Sequence, residues 1–286
     1  MRVSTLSIVF ASVLILYGAA VPAAGERPAM VEVTINSEGS RLPGHIYLAG
    51  GAGPHPTVVL LHGFPGNEKN LDIAQALRRD GFNVLFFHYR GAWGAEGDYS
   101  ITGQPEDVAA ALTFLAANSD RLRVDTAQLT LLGHSLGGYT ALAAGTRNAV
   151  ACVGAMAPAN PAGYRRFREQ GWVELDARLR RYADSLFMLT SFDAGVMRAE
   201  LASAPEAAID TRRFGEDLVG KSVLLVVGDE DEATPVTEVF RPIVDAYERV
   251  DGLALRTHVI SGDHSFSWSR VELTGLLLEW LRADCR

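Results

Sequence analysis

The sequence lacks the features that mark nucleic-acid-binding proteins and proteins with several membrane spans. It has no run of lysine and arginine, and its 26 basic residues are outnumbered by 34 acidic ones, which gives a formal net charge of −8. Because a surface that binds phosphates needs clustered positive charge, nucleic acid is not expected as a partner. Beyond the amino terminus no apolar stretch approaches the roughly 20 residues of a transmembrane helix, and no repeat or low-complexity linker is present.

Cysteine is also scarce, with 2 in the chain, Cys152 and Cys285. Cys152 lies in an apolar, strand-like run, and free cysteine is among the most buried residue types. The preferred prediction is therefore a buried free thiol at Cys152. A disulfide between the two is the alternative, which an oxidising compartment would permit but whose geometry the sequence cannot establish.

The amino-terminal segment has the composition of a secretory signal peptide. Arg2 supplies a positive charge, residues 6–17 form an apolar stretch, and a series of small residues follows. This order predicts cleavage by a signal peptidase after Ala23, with Ala20 as the second choice.

An uncleaved membrane anchor is the alternative interpretation of this segment. The apolar stretch is short for a membrane span, however, and Pro22 interrupts its end. We therefore expect a signal peptide over residues 1–23 and a mature domain over residues 24–286. The mature protein is expected to be secreted or periplasmic, with no membrane partner.

Strand-like and helix-like patterns alternate along the rest of the chain. Residues 31–35 alternate apolar and polar side chains as a half-buried strand does, and residues 45–48 could pair with them. Short runs that are apolar throughout fit strands buried on both faces of a parallel sheet; they are residues 57–61, 84–87, 129–132, 150–156 and 223–227. Helical patterns occupy residues 106–118, 237–248 and 268–282. This alternation predicts an α/β fold with a parallel sheet covered by helices.

Two helical regions carry more specific expectations. In the helix over residues 268–282 we expect a core-facing side made of Val271, Leu277, Trp280 and Leu281. Residues 158–220 contain no strand-like run and are too long for an ordinary connection, so we predict a helical cap insertion over the strand ends. Ordinary sheet-covering helices are the alternative. Within the cap, Trp172 and Phe187 are the candidates for contact with a substrate.

The sequence Gly-His-Ser-Leu-Gly at residues 133–137 joins the strand over residues 129–132 to a helix-prone run. A serine on a sharp strand-to-helix turn projects its hydroxyl above the sheet, and side chains two residues away on either side would collide with the turn. The N–H groups of the following helix point toward developing negative charge. The pattern alone is weak, but in this context it predicts Ser135 as a nucleophile.

A serine hydroxyl needs a base to take its proton, and histidine can supply it. Where a serine occupies such a turn, the acid and then the histidine follow it in the chain, which leaves His258 and His264. His258 falls within the alternating run 253–260, where a strand would fix its ring beside the sheet. His264 follows that run in a loop that can reach over the strand ends, so we predict His264 as the base.

The acid that orients the histidine should follow the strand over residues 223–227, where residues 229–232 are all acidic. Spacing alone leaves Asp229 and Asp231 as alternatives. One of them must accept a hydrogen bond from His264 and stabilise the imidazolium that forms.

A tetrahedral intermediate also needs backbone N–H donors for its oxyanion. We predict the N–H of Leu136, directly after the nucleophile, and the N–H of Phe64, in the glycine-rich loop after the third strand. His62 and His134 flank these motifs. We expect both to be structural, with ring N–H groups bound to nearby backbone.

Together these residues resemble the α/β-hydrolase superfamily over nearly all of the mature chain. The segments at residues 62–66, 89–91, 97–98, 133–138 and 263–266 look like the esterase and serine-aminopeptidase-like branches. The resemblance implies an eight-stranded, mostly parallel sheet with no metal and no organic cofactor. It also implies Asp231 as the acid, because relatives commonly carry the acid at the end of a Gly-x-x-Asp pattern after the sixth parallel strand.

The resemblance implies a serine hydrolase that forms an acyl-enzyme, and a carboxylesterase acting on a small-molecule acyl ester is the first expectation. Serine in the turn argues against the haloalkane dehalogenases and epoxide hydrolases of the same fold, which use aspartate. A serine peptidase of the aminopeptidase type is an alternative that needs an acidic group to hold the substrate's α-amino group. A catalytically inactive binding module is the alternative from another class, and a missing triad position would favour it.

Overall fold

The computed structural model describes residues 27–166, 171 and 173–286. The predicted signal peptide and Trp172 lie outside the described residues. The strands are β1 (Ala29–Ser37), β2 (Ser40–Leu48), β3 (His55–Leu61), β4 (Asn83–Phe87), β5 (Val124–His134), β6 (Cys152–Met156), β7 (Ser222–Gly228) and β8 (Ala254–Ile260).

All eight strands belong to one sheet with the order β1-β2-β4-β3-β5-β6-β7-β8. β2 runs antiparallel to both β1 and β4, whereas β3 to β8 are mutually parallel. The predicted α/β fold with an eight-stranded, mostly parallel sheet is confirmed. Because β3 to β8 are parallel, the loops that follow them all leave the same edge of the sheet, and this edge is where ligands bind in such folds.

Helices connect and cover the strands. They are α1 (Leu71–Arg79), α2 (Gln104–Ala117), α3 (Ser119–Leu122), α4 (Leu136–Gly145), α5 (Pro161–Arg166), α6 (Val173–Asp184), α7 (Ala194–Ser203), α8 (Glu206–Ile209), α9 (Arg241–Tyr247) and α10 (Arg270–Asp284). Two 3₁₀ turns, Thr211–Arg213 and Glu216–Leu218, precede β7, and a π-helical turn, Val236–Phe240, leads into α9. No helix in the described part of the chain is long and apolar enough to cross a bilayer.

The apolar runs of the parallel strands are buried on both faces of the sheet. Along β3, Val59 and Leu61 face one core, which α2, α4 and α9 complete, while Val58 and Leu60 face a second core, which α1 and α10 complete. Successive strand residues point to opposite faces, so a run without polar residues supplies both cores at once. This is why these runs predicted strands of a covered sheet.

Helix α10 corrects one prediction about the core. Leu277, Trp280 and Leu281 are buried as expected, but Val271 is 88% exposed. At about 100° of rotation per residue, the nine positions from Val271 to Trp280 turn the helix by two and a half revolutions. Val271 therefore faces solvent on the side opposite Trp280.

The prediction of a free thiol at Cys152 is wrong, because Cys152 and Cys285 form a disulfide with a Cα–Cα distance of 5.8 Å. Helix α10 packs across β6 so closely that a Cβ on Gly154 would lie 2.9 Å from the Trp280 ring. This packing brings the carboxyl terminus of α10 beside the first residue of β6. The sequence separation of 133 residues hides that proximity from any local pattern.

The predicted insertion, residues 158–220, lies between β6 and β7 and contains α5 to α8. Its connection to the rest of the molecule includes an isolated antiparallel bridge between Ala92 and Leu189. The Glu200 carboxylate of α7 accepts hydrogen bonds from the Ser100 and Thr102 hydroxyls at 2.6 and 2.7 Å. These contacts hold the loop that contains Ile101 against the insertion.

Candidate active site

Ser135 occupies a strained turn between β5 and α4. Its φ of 57° and ψ of −120° are uncommon for any residue except glycine, and such strain is concentrated at functional sites. A Cβ on Gly133 would lie 1.9 Å from the Gly137 carbonyl oxygen, and one on Gly137 would lie 2.3 Å from that of Leu61. Both positions therefore require glycine, for the steric reason that the sequence suggested.

Ser135, His264 and Asp231 lie in one chain of hydrogen bonds. The His264 Nε2 is 2.9 Å from Ser135 Oγ, and its Nδ1 is 2.8 Å from Asp231 Oδ2. A carboxylate can only accept, so Nδ1 carries the ring hydrogen and Nε2 is left to accept the serine proton. This is the tautomer that a general base acting on Ser135 requires.

The Asp231 carboxylate is buried and fully hydrogen-bonded. Besides His264 it accepts from the N–H groups of Ala233 and Thr234 at 2.8 and 2.7 Å and from the Thr234 hydroxyl at 2.7 Å. Burial raises the pKa of this carboxyl, but the hydrogen bond and electrostatic attraction of His264 and the hydrogen bonds from Thr234 outweigh the effect of burial, so the pKa of Asp231 is below the usual value. Asp231 is therefore ionised at neutral pH.

The structure separates the two acids that spacing left open. The Asp229 Oδ1 accepts a 2.9 Å hydrogen bond from the N–H of Gly262, and no hydrogen bond joins it to His264 within the described residues. Asp229 thus ties the loop after β7 to the loop after β8. Of the two candidates, Asp231 is the one that contacts the His264 ring.

The two predicted oxyanion donors flank Ser135. Leu136 is the first residue of α4, so its N–H has no acceptor inside the helix. Within the described ranges no hydrogen bond takes up the N–H of Phe64. The backbone that precedes it lies against the serine, since a Cβ on Gly63 would be 2.8 Å from the Ser135 Cβ and 3.4 Å from its Oγ.

His62 and His134 both use a ring nitrogen to bind backbone, as expected. The His62 Nδ1 is 2.8 Å from the Gly63 carbonyl, and the His134 Nε2 is 2.7 Å from the His264 carbonyl. Burial lowers the pKa of His62 to about 4, and burial together with the electrostatic effect of the neighbouring His264 ring lowers that of His134 to about 3. Both rings are therefore neutral at neutral pH.

A cavity of about 440 Å³ opens over Ser135 and His264. Side chains from outside the insertion line one part of it, namely Phe64, Ile101, Leu136, Glu232 and Ala233. The insertion lines the rest with Tyr164, Arg178, Leu179, Tyr182 and Met197. In the described part of the chain, no three histidine, cysteine, aspartate or glutamate side chains are grouped as a metal site would require.

The insertion residues that line the cavity were not identified from the sequence. Phe187, which was expected to contact a substrate, is 92% exposed and does not line the cavity. Arg178 and Tyr182 are four positions apart on α6 and share a face of that helix with Leu179. Their amphipathic spacing was the available signal, but it does not reveal whether a helix face packs on a sheet or borders a cavity.

Comparison with known proteins identifies the family. The model of the alpha/beta hydrolase family matches residues 58–273. This range covers most of the chain and includes Ser135, Asp231 and His264. The chain belongs to the alpha/beta hydrolase family.

Curated relatives match part of this chain. An uncharacterized protein of Mycobacterium tuberculosis is 34% identical over 117 residues, which are 40% of this chain and 41% of the relative. Esterase EstD of Thermotoga maritima is 33% identical over 115 residues, 37% of this chain and 26% of the relative. The chain thus spans less than half the length of these relatives.

Solved structures extend the similarity to almost the whole fold. The esterase Pf2001 of Pyrococcus furiosus superposes with a TM-score of 0.67 at 19% identity, covering 91% of this chain and 92% of that one. A likeness at this identity establishes the shared fold alone.

Proposed function

We propose that this alpha/beta hydrolase is a serine hydrolase that cleaves small carboxylic esters through an acyl-enzyme intermediate. The chain of hydrogen bonds from Ser135 through His264 to Asp231 carries the proposal. Each member has the donor or acceptor that its role requires, and the complete set favours an active enzyme over an inactive binding module.

The proposed reaction begins when Ser135 Oγ attacks the ester carbonyl carbon and its proton moves to His264 Nε2. The negative oxygen that forms accepts hydrogen bonds from the N–H groups of Phe64 and Leu136. The carbon–oxygen bond to the leaving group then breaks, and the alcohol departs with the proton from His264. A water molecule, deprotonated by His264, attacks the carbonyl carbon of the acyl-enzyme. The bond from that carbon to Ser135 Oγ then breaks, His264 returns the proton to Oγ, and the carboxylic acid is released. Asp231 stabilises the imidazolium in both halves.

The lining of the cavity supports an ester with an apolar acyl group. Most of the side chains that surround Ser135 are apolar or aromatic, and a cavity of about 440 Å³ falls within the range of small-molecule sites. The aminopeptidase alternative needs an acid near the nucleophile, and Glu232 lines the cavity. Arg178 lines it as well, so the site has no excess of negative charge to select an α-amino group.

We also propose that the protein is exported, as its amino-terminal segment predicted. The disulfide between Cys152 and Cys285 supports this, because stable disulfides belong mainly to oxidising compartments. Mass spectrometry of the mature protein is expected to give an amino terminus near Ala24. Recovery of intact Met1 in the membrane fraction would instead support an anchor.

The proposed function is tested by active-site labelling. A fluorophosphonate probe should label the protein covalently, and Ser135→Ala should abolish labelling and lower kcat/KM on an activated ester by about 10⁵- to 10⁶-fold. Ser203→Ala, at an exposed serine of α7, is the matched control and should be labelled normally. A panel of acyl esters and aminoacyl anilides separates esterase from aminopeptidase activity. Undiminished labelling of Ser135→Ala would refute the assignment.

A further inference from the structure

The Phe64 N–H shares a planar peptide unit with the carbonyl of Gly63. In a peptide the C=O and N–H are locked antiparallel, so any contact that fixes the Gly63 carbonyl also fixes the direction of the Phe64 N–H. The contact present is the hydrogen bond from the His62 ring, with 2.8 Å between Nδ1 and the carbonyl oxygen. A carbonyl oxygen only accepts, so His62 Nδ1 must carry the hydrogen.

That requirement determines the other edge of the His62 ring. A neutral imidazole has one N–H, so Nε2 of His62 is an acceptor. The His88 Nδ1 lies 3.3 Å from it, and in this pair the hydrogen must therefore come from His88. The donor chain runs from His88 to His62 and from His62 to the Gly63 carbonyl.

The surroundings keep both rings neutral, as this chain requires. Burial lowers the pKa of His62 to about 4, and burial with the nearby His62, Lys69 and His45 lowers that of His88 to about 3. At neutral pH each ring therefore has one donor and one acceptor nitrogen, and neither repels the other as a cation.

A tryptophan supports the same loop beside His88. The Trp93 ring stacks on His88 with 6.1 Å between centroids, and its Nε1–H donates to the Pro65 carbonyl at 2.8 Å. The peptides on both sides of Phe64–Pro65 are thus held from one cluster. His88 itself does not line the cavity over Ser135; it borders a separate surface cavity with His45 and Lys69.

We infer that His88 is a positioning residue for the oxyanion-binding peptide and acts through the ring of His62. This inference rests on the proposed function, because it assigns His88 to the stabilisation of the oxyanion on the substrate. His88 touches neither the cavity nor Ser135, so its removal should affect the transition state more than the binding of the ground-state ester.

Two variants of His88 that match each other in shape separate the effect of its N–H donor from the effect of its packing. His88→Asn keeps an N–H on the atom that corresponds to Nδ1, whereas His88→Leu has nearly the same shape as asparagine and no donor. We expect His88→Leu to lower kcat on an activated ester by about tenfold, less than the 10²- to 10³-fold loss for deletion of an oxyanion donor, with KM changed by less than about threefold. His88→Asn should retain kcat within about threefold.

A second measurement reads the oxyanion directly. A trifluoromethyl ketone adds to the serine and places an oxyanion where the intermediate would have one, so its inhibition constant should rise in His88→Leu by the same factor by which kcat/KM falls. Should His88→Leu fail to fold, His88→Phe, which keeps an aromatic ring on Trp93 without the donor, takes its place with the same expectation.

The outcomes distinguish this inference from the proposed function. If the wild-type protein neither hydrolyses esters nor reacts with the fluorophosphonate, the proposed function fails. If the wild type is active and His88→Leu and His88→Asn are equally active, or equally impaired, the donor chain has no role and the inference is overturned. A rise in KM with unchanged kcat would overturn it as well, because it would place His88 in substrate binding.

Discussion

The candidate site has a floor and a roof of different construction. The floor consists of Ser135, Asp231, His264 and the loop of Phe64, which follow the carboxyl ends of β5, β7, β8 and β3, and hydrogen bonds join the first three side chains. The roof consists of the insertion residues that line the cavity, where Leu179 and Met197 contribute apolar surface. This difference suggests a division of roles: the proposed chemistry depends on fixed polar geometry, and we expect selectivity to depend on the apolar surface of the roof.

The largest loss of activity among these variants is expected for a change at Asp231, the acid of the floor. Asp231→Asn offers His264 the wrong partner and favours the wrong tautomer, so kcat/KM on one activated ester should fall by about 10³- to 10⁴-fold. Asp229→Asn is the matched control. It keeps the oxygen that accepts from Gly262, and it should cost less than about tenfold. If Asp229→Asn lost its activity and Asp231→Asn kept it, Asp229 would be the acid of the triad instead of Asp231.

The next prediction tests whether the protein can lose stability while the residues of the floor keep their activity. Cys152 begins β6 at the edge of the sheet opposite the strand ends that hold the site. The double variant Cys152→Ser with Cys285→Ser should lower the free energy of unfolding by about 2–4 kcal/mol in urea titrations. Below its melting temperature, its kcat/KM should stay within about threefold of the wild-type value. A large loss of activity in the folded variant would show that the disulfide at one end of the strands affects the geometry of the site at the other end.

The roof should respond in selectivity rather than in rate. Leu179→Ala removes apolar surface from the cavity, so the ratio of kcat/KM between long and short acyl esters should change by about tenfold, the scale expected for a few methylene contacts. Val173→Ala on the same helix is the control, because Val173 is 56% exposed and does not line the cavity. An unchanged ester profile with a much lower Tm would mark Leu179 as packing core instead.

The smallest effect concerns the pH dependence of stability. Because the pKa of Asp231 is lowered in the folded state, its carboxylate stabilises the fold above the ordinary value near 3.9 and loses that contribution as pH falls through the lower folded-state pKa. The free energy of unfolding of Asp231→Asn should therefore decrease less steeply than that of the wild type between about pH 4 and pH 2. Equal slopes would mean that Asp231 is not coupled to folding.

The sequence predicted the floor much better than the roof. Apolar runs marked the strands, and a strand-to-helix turn at Ser135 and a loop after β8 for His264 follow from the order of elements. The choice of Asp231 as the acid depended on family resemblance. Spacing does not distinguish Asp231 from its neighbour Asp229, and only the structure shows the contacts of Asp231 with Thr234 and His264. Periodicity describes a residue's own element and not what lies across from it.

That limit explains the remaining errors. The partner of Cys152 is 133 residues away, and no local pattern reports such a contact. The prediction placed Val271 on the wrong side of α10 because it relied on the apolar side chain and not on the position of Val271 around the helix, which is opposite Trp280. His88 lies directly after β4, next to β3 in the sheet, so the rule that strand ends meet at one edge could have drawn attention to it.

The separation of Ser135 from His264 along the chain also affects the order of events during folding. Their hydrogen bond spans 129 residues and depends on the pairing of β5 through β6 and β7 to β8, the last strand of the chain. Pairings of this kind form slowly, because distant segments must be brought together before any contact compensates for the lost chain entropy. During refolding from urea, recovery of hydrolytic activity should therefore trail recovery of the helical circular dichroism signal, and activity becomes a reporter of the final folding step.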